Sequence, residues 1–119
     1  MVASGPCATT GLRAHTRAAS KQNHQQAQAL LGRTHEKLAS YAAEINGSLA
    51  VVCDVADGSS VRAAFEHVRA ELGEASVVVH NAGSGVFKGF LDTTAEELQS
   101  SLDVNVGGLF HVAKEALPA

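Results

Sequence analysis

The chain has 119 residues, the usual size of one domain, and a formal net charge of −3 at neutral pH. Its two cysteines have no metal-ligand spacing and its aromatic content is 4%, so neither a metal site nor a base-stacking surface for nucleic acid is predicted. Its longest apolar runs have about five residues, far fewer than the roughly 20 that span a bilayer, so no membrane segment is expected. These features favour a reduced compartment, and we expect the cytoplasm.

Residues 1–26 are predicted to be a leader that is separate from the folded part. They contain no acidic residue and no sustained apolar periodicity, and they end in the polar run Ser20–Gln26. This composition favours disorder. A poorly formed helix is one alternative. An organelle transit signal is the other, because such signals are poor in acidic residues and contain Arg and Ser.

Strands and helices are predicted to alternate from residue 27 onward. The second helix is expected to begin after Asp57, as its N-cap, and to stop at Gly73. Thr94 and Glu97 form a capping-box signature that opens the third helix. The β-branched run Val77–Val79 is typical of a strand that is covered on both faces of a parallel sheet. The predicted elements are strand 27–31, helix 35–45, strand 49–53, helix 58–72, strand 76–80 and helix 95–113. This order predicts an α/β fold, since right-handed crossovers between parallel strands place helices over a sheet.

Polar and small residues follow each of the three predicted strands. Asp54 follows the second strand and Asn81 the third, and we expect neighbouring parallel strands to bring both to one edge, where ligands bind in open α/β sheets. Ala82 and Gly83 are small enough for a ribose or pyrophosphate to approach the backbone. Arg33 follows the first strand, and its planar guanidinium suits a phosphate monoester because it can donate two hydrogen bonds at once.

Each of these residues also has a purely structural alternative. Asp54 could cap the turn that follows it, Arg33 could be an ordinary surface residue, and the Asn81–Gly83 segment could form a turn alone. Cys53 is interpreted as a small core residue. His80 is interpreted as a packing histidine whose hydrogen bonds are satisfied.

Three motifs follow one another along the chain. They are Asp54-Val55 after one strand, Asn81-Ala82-Gly83 after the next, and Asp103-Val104-Asn105-Val106 in the following helix. In this order and at these separations they resemble the short-chain dehydrogenase/reductase superfamily, over residues 27–118. The resemblance implies a partial NAD(P)-binding, Rossmann-like domain at 27–119, a three-layer fold with a short parallel sheet between flanking helices.

The resemblance also implies roles on the adenine side of a nicotinamide dinucleotide. Asp54 would hydrogen-bond the adenine amine, and Val55 would line the adenine pocket. Arg33 stands after Gly32, where members that use NAD carry an acidic residue for the ribose 2′-hydroxyl. Gly followed by Arg is instead similar to the NADP-preferring members, so NADP is expected rather than NAD.

The same resemblance implies roles for the two other motifs. Asn81, Ala82 and Gly83 would support the central strand and the cofactor ribose. Asn105 would be the catalytic asparagine, which kinks its helix and holds a water in the proton relay.

Two diagnostic elements of the family find no match in these residues. Thr10-Gly11 is the only candidate for the start of the glycine-rich loop Thr-Gly-x-x-x-Gly-x-Gly, and the later glycine positions fall on His15 and Arg17. The catalytic Ser and the Tyr-x-x-x-Lys pair would lie beyond the last residue. The single tyrosine, Tyr41, is followed four residues later by Ile45.

The sequence therefore resembles the middle segment of an NADP-dependent short-chain oxidoreductase, which transfers hydride between the nicotinamide cofactor and an unknown carbonyl or alcohol. We expect the chain alone to be inactive. One alternative is a non-catalytic interaction module that dimerises through helix 95–113, and another is a decayed product without function. Because the family's first strand is expected to be missing, exposed strand edges, exposed apolar surface and marginal stability are also predicted.

Overall fold

The computed structural model describes residues 2–5 by their backbone and residues 27–45 and 48–117 in full. Each strand and helix predicted after residue 27 is present, with ends that differ by a few residues. The α/β class is confirmed. In chain order the strands and α-helices are β1 Val2–Gly5, β2 Ala27–Gly32, α1 His35–Glu44, β3 Ser48–Val52, α2 Gly58–Leu72, β4 Val77–Val79, α3 Ala95–Leu102 and α4 Gly108–Ala116. Within these described ranges, no helix is long and apolar enough to cross a bilayer.

The four strands form one sheet in the order β3-β2-β1-β4. β2 and β3 are parallel, with Leu31 opposite Val51. β1 is antiparallel to both of its neighbours, and Val2 lies opposite Leu30 of β2 on one side and Val79 of β4 on the other. Consequently β2, β3 and β4 all run in the same direction, as predicted for a parallel sheet, and β1 runs against them.

β1 lies within the segment that was predicted to be a disordered leader. Its backbone pairs on both sides, so it supplies hydrogen-bond partners to edges of β2 and β4 that would otherwise be open. For residues 2–5 the structure therefore differs from the expectation, and a strand occupies the middle of the sheet. Residues 6–26 lie outside the described residues, so the disorder expected there stays a prediction.

Helices cover the sheet on both faces. The connections β2-α1-β3 and β3-α2-β4 move in opposite directions across the strand order, so right-handed crossovers place α1 and α2 on opposite faces. α1 packs on β2 and β3, with Leu38 against Gly32. α2 and α4 cover the other face, and this gives the three layers that the resemblance implied.

The main core lies between the sheet and α2. Asp57 caps α2, since its carboxylate accepts a hydrogen bond of 2.9 Å from the backbone N–H of Ser59, and Gly73 ends the helix with φ 84°. Both were predicted. The apolar residues of α2 recur at helical spacing and face alternate residues of β2 and β3. The buried cluster consists of Ala29, Leu31, Val51, Cys53, Val55, Val61, Ala64, Phe65, Val68 and Val112.

The β4 strand is covered on one face only. Val78 packs against the core, whereas Val77 and Val79 are 57% and 53% exposed. The prediction of a strand buried on both faces is therefore wrong for β4. The reason is that α1 packs over β2 and β3 and leaves the same face of β4 open.

The predicted helix 95–113 is present but contains an irregular turn. Its capping box forms as predicted, because the Thr94 hydroxyl accepts from the Glu97 N–H and the Glu97 carboxylate accepts from the Thr94 N–H. Lys88 also donates to Glu97, and this bond together with the cap lowers the pKa of the Glu97 carboxyl. The segment Asp103–Gly107 is π-helical and joins α3 to α4. Such wide turns occur frequently at functional sites.

Candidate functional site

A pocket of about 280 Å³ opens at the carboxyl edge of β2, β3 and β4. All six residues predicted to bind a cofactor lie around it, and Asn105 lies beside it, next to the lining residue Val104. The pocket is lined by Leu31, Gly32, Arg33, Cys53, Asp54, Val55, Asn81, Ala82, Gly83, Ser84 and Val104.

Asp54 and Asn81 reach this pocket from strands that are not neighbours. β3 and β4 stand at the two ends of the strand order, with β2 and β1 between them. The expectation of adjacent strands is therefore wrong. The expectation of a shared edge holds, because β3 and β4 run in the same direction on either side of the point where the chain reverses its course across the sheet.

Asp54 is held in a tight turn after β3. Its backbone N–H donates to the Ser60 hydroxyl at 3.0 Å, and its Oδ1 accepts from the Ala56 N–H at 3.0 Å. The turn-capping alternative is thus realised. Among the described residues no group donates to the second carboxylate oxygen, Oδ2, which leaves an acceptor at the pocket.

The residues on either side of Asp54 form an apolar wall. Val55 is buried, and its carbonyl oxygen lies 3.0 Å from Nδ1 of His111 on α4. Cys53 is 2% exposed, and burial together with the negative charge of Asp54 raises the pKa of its thiol. The thiol therefore stays protonated and unreactive near neutral pH. The interpretation of Cys53 as a core residue is confirmed.

Arg33 provides positive charge at the mouth of the pocket. It follows β2 directly, and its side chain is exposed. No hydrogen bond or ion pair joins its guanidinium to another residue in the described part of the chain. Its five N–H donors are therefore available to an anion.

Asn105 fastens the opposite wall of the pocket to the helix. Its Oδ1 accepts from the Ser84 N–H at 3.1 Å, and its Nδ2 donates to the Ser84 carbonyl at 2.7 Å and to the Ser101 carbonyl at 2.8 Å. The helix comes this close because residue 83 is glycine, where a Cβ would lie 3.1 Å from Asn105 Oδ1. Both amide hydrogens are thereby used, and Oδ1 keeps one lone pair for a further donor.

Sequence reasoning missed the partner of Asn105 and misjudged His80. An asparagine inside a helix signals that its amide needs a partner, but this signal does not identify Ser84, which lies 21 residues away. His80 does line a groove together with apolar residues such as Val78 and Val112. However, both of its ring nitrogens are buried without a hydrogen-bond partner among the described residues, so its expected satisfaction is wrong. The groove beside it is lined mainly by apolar residues.

Comparison with known proteins agrees with this geometry. The family model described as enoyl-(acyl carrier protein) reductase matches residues 13–119. The chain belongs to the short-chain dehydrogenase/reductase superfamily. The resemblance inferred from the three motifs is thereby confirmed.

Individual relatives match only part of their own length. The probable oxidoreductase EphD of Mycobacterium tuberculosis is 48% identical over 58 residues, which are 49% of this chain and 10% of that protein. The oxidoreductase UcpA of Escherichia coli is 36% identical over 69 residues, 58% of this chain and 26% of that protein. The chain thus spans a tenth to a quarter of these relatives.

Two solved structures share the fold. A variant of actinorhodin polyketide ketoreductase, solved with NADPH, matches 75% of this chain and 36% of its own with a TM-score of 0.71 and 24% identity. A short-chain dehydrogenase/reductase from Serratia marcescens matches 74% of this chain and 38% of its own with a TM-score of 0.69 and 24% identity. Both likenesses support the Rossmann-like architecture described above.

Proposed function

We propose that this chain is the dinucleotide-binding part of an NADP-dependent short-chain oxidoreductase. The observation that carries the proposal is the convergence of Arg33, Asp54, Val55 and the Asn81–Gly83 turn on one pocket. The family membership supports a nicotinamide cofactor, and NADPH accompanies one structural neighbour. In the whole enzyme the cofactor would supply the hydride, and the substrate would be a carbonyl or an alcohol.

The pocket fits the adenosine end of such a cofactor. Its volume of about 280 Å³ is near the lower end of the roughly 300–1,000 Å³ of small-molecule sites, so it suits half of a dinucleotide. Val55 offers an apolar surface to the adenine ring, and Asp54 Oδ2 offers an acceptor to the adenine amine. Small residues at Ala82 and Gly83 leave the backbone accessible to the ribose.

Arg33 would select NADP over NAD. Its guanidinium has no partner within the described chain, and a phosphate on the ribose 2′-oxygen could accept two of its hydrogen bonds. Arg33→Asp should therefore weaken NADPH binding by at least about tenfold, because charge-assisted hydrogen bonds are lost and a carboxylate would face the phosphate, and it should change NADH binding by less than about twofold. Titration of the 119-residue chain with each nucleotide, followed by nicotinamide fluorescence, measures both affinities.

Lys37→Asp is the matched control for this experiment. It makes the same change of charge on the exposed face of α1, outside the pocket. It should leave the ratio of the two affinities unchanged. Equal weakening of NADPH and NADH in the Arg33 variant would contradict the phosphate role, and no binding of either nucleotide at millimolar concentration would contradict the proposed function itself.

Asn105 is the residue that we propose to serve the reaction. Its Oδ1 retains a lone pair beside the pocket, where it can hold a water of a proton relay. Asn105 alone cannot donate a proton to a substrate, and the only tyrosine, Tyr41, lies on α1 without a lysine four residues later. We therefore propose that these 119 residues do not turn over substrate and that the parent enzyme is cytoplasmic. Steady NADPH oxidation by the chain with a ketone or an enoyl thioester would contradict the proposed lack of turnover. Cell fractionation tests the proposed cytoplasmic location of the parent enzyme.

A dimerisation module is the second candidate function. The exposed apolar side chains of the helix at 95–113 form a stripe, and the occupant that we propose for it is the same stripe of a second copy. A twofold pairing would bury it on both sides at once. The stripe consists of Leu98, Leu102, Val106, Leu109 and Phe110.

Sedimentation velocity over a range of concentrations tests this pairing. Phe110→Glu should shift the chain towards monomer, because two carboxylates would face an apolar contact. Ala63→Glu, on the exposed face of α2, is the control and should change nothing. A wild-type chain that stays monomeric at every concentration would overturn this candidate.

A further inference from the structure

One turn of α4 contacts the Val55 wall of the pocket at two places. Gly108 is buried against the Val55 side chain, and a Cβ at residue 108 would lie 2.9 Å from Val55 Cγ2. Three residues later, Nδ1 of His111 lies 3.0 Å from the Val55 carbonyl oxygen. Because a carbonyl oxygen only accepts, Nδ1 carries the proton and donates it. Both the side chain and the backbone of Val55 are therefore held by α4.

The His111 ring is itself held in place. A Cβ at Gly58, the first residue of α2, would lie 3.3 Å from His111 Cδ2 and 3.4 Å from Nε2. The ring thus packs closely over the start of α2 while its other nitrogen faces Val55. A side chain that is packed on one side and hydrogen-bonded on the other has little rotamer freedom, so it can fix the position of its acceptor.

The π-helical segment that leads into α4 holds the opposite wall of the pocket. The Val55 wall follows β3 and the Gly83–Ser84 wall follows β4, two strands at opposite ends of the sheet. Asn105 pairs with the backbone of Ser84, six residues before His111 reaches Val55. The continuous helical segment 103–116 therefore connects two walls of the pocket that follow the two outer strands of the sheet.

We propose that Gly108 and His111 are positioning residues of the nucleotide site, which hold Val55 at the distance from the Asn81–Ser84 wall that an adenine ring requires. This inference rests on the function proposed above. Neither residue lines the pocket, so neither touches the nucleotide. Their effect is to keep the apolar wall in place before the adenine enters, and a preorganised wall lowers the cost of binding.

Variants of His111 test this role through NADPH affinity. The Nδ2 of an asparagine is as many bonds from the backbone as Nδ1 of histidine, so His111→Asn should still donate to Val55 and bind NADPH within about twofold of wild type. The amide of His111→Gln is displaced by one bond and should bind about fivefold more weakly, the effect of losing one hydrogen bond. His67→Gln, on the exposed face of α2, is the matched control and should bind like wild type.

Thermal unfolding separates positioning from folding. The Asn and Gln variants should both unfold cooperatively well above the temperature of the titration, so that the difference in NADPH affinity is measured on folded protein in each case. Equal NADPH affinity in the Asn and Gln variants, with wild-type binding intact, would overturn the positioning role alone. Failure of the unchanged chain to bind either NADPH or NADH would overturn the proposed function, and the positioning role with it.

Discussion

Asp54 and Asp57 lie three residues apart, and each fixes a turn with its carboxylate. Asp54 accepts from the Ala56 N–H, and Asp57 accepts from both the N–H and the hydroxyl of Ser59. Only Asp54 lines the pocket. The two aspartates therefore form similar turns but have different roles, since Asp54 follows β3 at the pocket and Asp57 caps α2.

Asp57 should stabilise the fold in a pH-dependent manner. The hydroxyl and the N–H of Ser59 lower its pKa below the ordinary 3.8, so its contribution is complete above pH 3.8 and is lost as the pH falls through the pKa of the folded state. Asp57→Ala should therefore lower the unfolding midpoint by a few degrees at neutral pH, and the gap to wild type should narrow below pH 3.8. Circular dichroism melts at several pH values measure the gap.

Glu66→Ala is the control for the loss of charge. It removes a carboxylate from the exposed face of the same helix, away from its N-terminus. Its midpoint should stay near that of wild type at every pH. A gap between Asp57→Ala and wild type that is constant down to pH 2 would argue against the capping role.

Residues whose partners lie close in the sequence could be predicted, whereas residues whose partners are distant in the sequence could not. The caps at Asp57 and Thr94 depend on neighbours within three residues, and both were predicted. The Asn105–Ser84 pair joins residues 21 positions apart, so only the folded chain reveals it. The prediction for His80 was wrong for a similar reason, because a histidine's hydrogen-bond partners depend on the folded surroundings, and none is found among the described residues.

At the scale of elements, the π-helical segment determines what the helix can reach. One wide turn at Asp103–Gly107 places Asn105 beside Ser84, while α4 beyond it presents Gly108 and His111 to Val55. The apolar pattern of 95–113 predicted one continuous helix. A π-helical turn adds only one residue to a turn, and this hardly changes the spacing of apolar residues along the helix. The resemblance alone indicated a kink at Asn105.

Replacing Asn105 separates its two kinds of hydrogen bond. Asn105→Asp keeps the shape but places a carboxylate oxygen where Nδ2 now donates to the carbonyls of Ser84 and Ser101, at 2.7 and 2.8 Å. Asn105→Ala loses the bonds without adding this repulsion. We expect the Asp variant to be the less stable of the two, with a loss of about 1–2 kcal/mol relative to wild type. Urea unfolding measures the order, and a less stable Ala variant would contradict it.

At the scale of the whole molecule, one face of the sheet is only partly covered. α1 lies over β2 and β3, and on β4 the residues Val77 and Val79 remain open to solvent. The sequence predicted exposed apolar surface on the expectation that a central strand would be lacking. Apolar side chains of β4 are exposed, but β1 occupies the centre of the sheet, so a vacant strand position is not the cause. The strand order could not be predicted in the same way, because it depends on β1, a four-residue strand whose pairing is entirely non-local.

The two faces of β4 should respond differently to the same substitution. Val79→Thr exchanges a methyl group for a hydroxyl at an exposed site and should change the free energy of unfolding by less than about 0.5 kcal/mol while lowering the binding of an apolar dye. Val78→Thr places the hydroxyl against the core and should cost about 1–2 kcal/mol. Chemical unfolding compares the pair, and equal losses would contradict the one-sided packing of β4.

The reversed direction of β1 also bears on how the protein should be handled. Because Val2 lies opposite Leu30 and Val79, residues joined ahead of it emerge at the edge that carries the pocket. Gly5 lies opposite Ala27, and both residues lie at the far edge of the sheet. An affinity tag fused to the amino terminus would thus begin at the edge where we propose that the nucleotide binds, whereas a label attached at Ala27 would lie at the opposite edge.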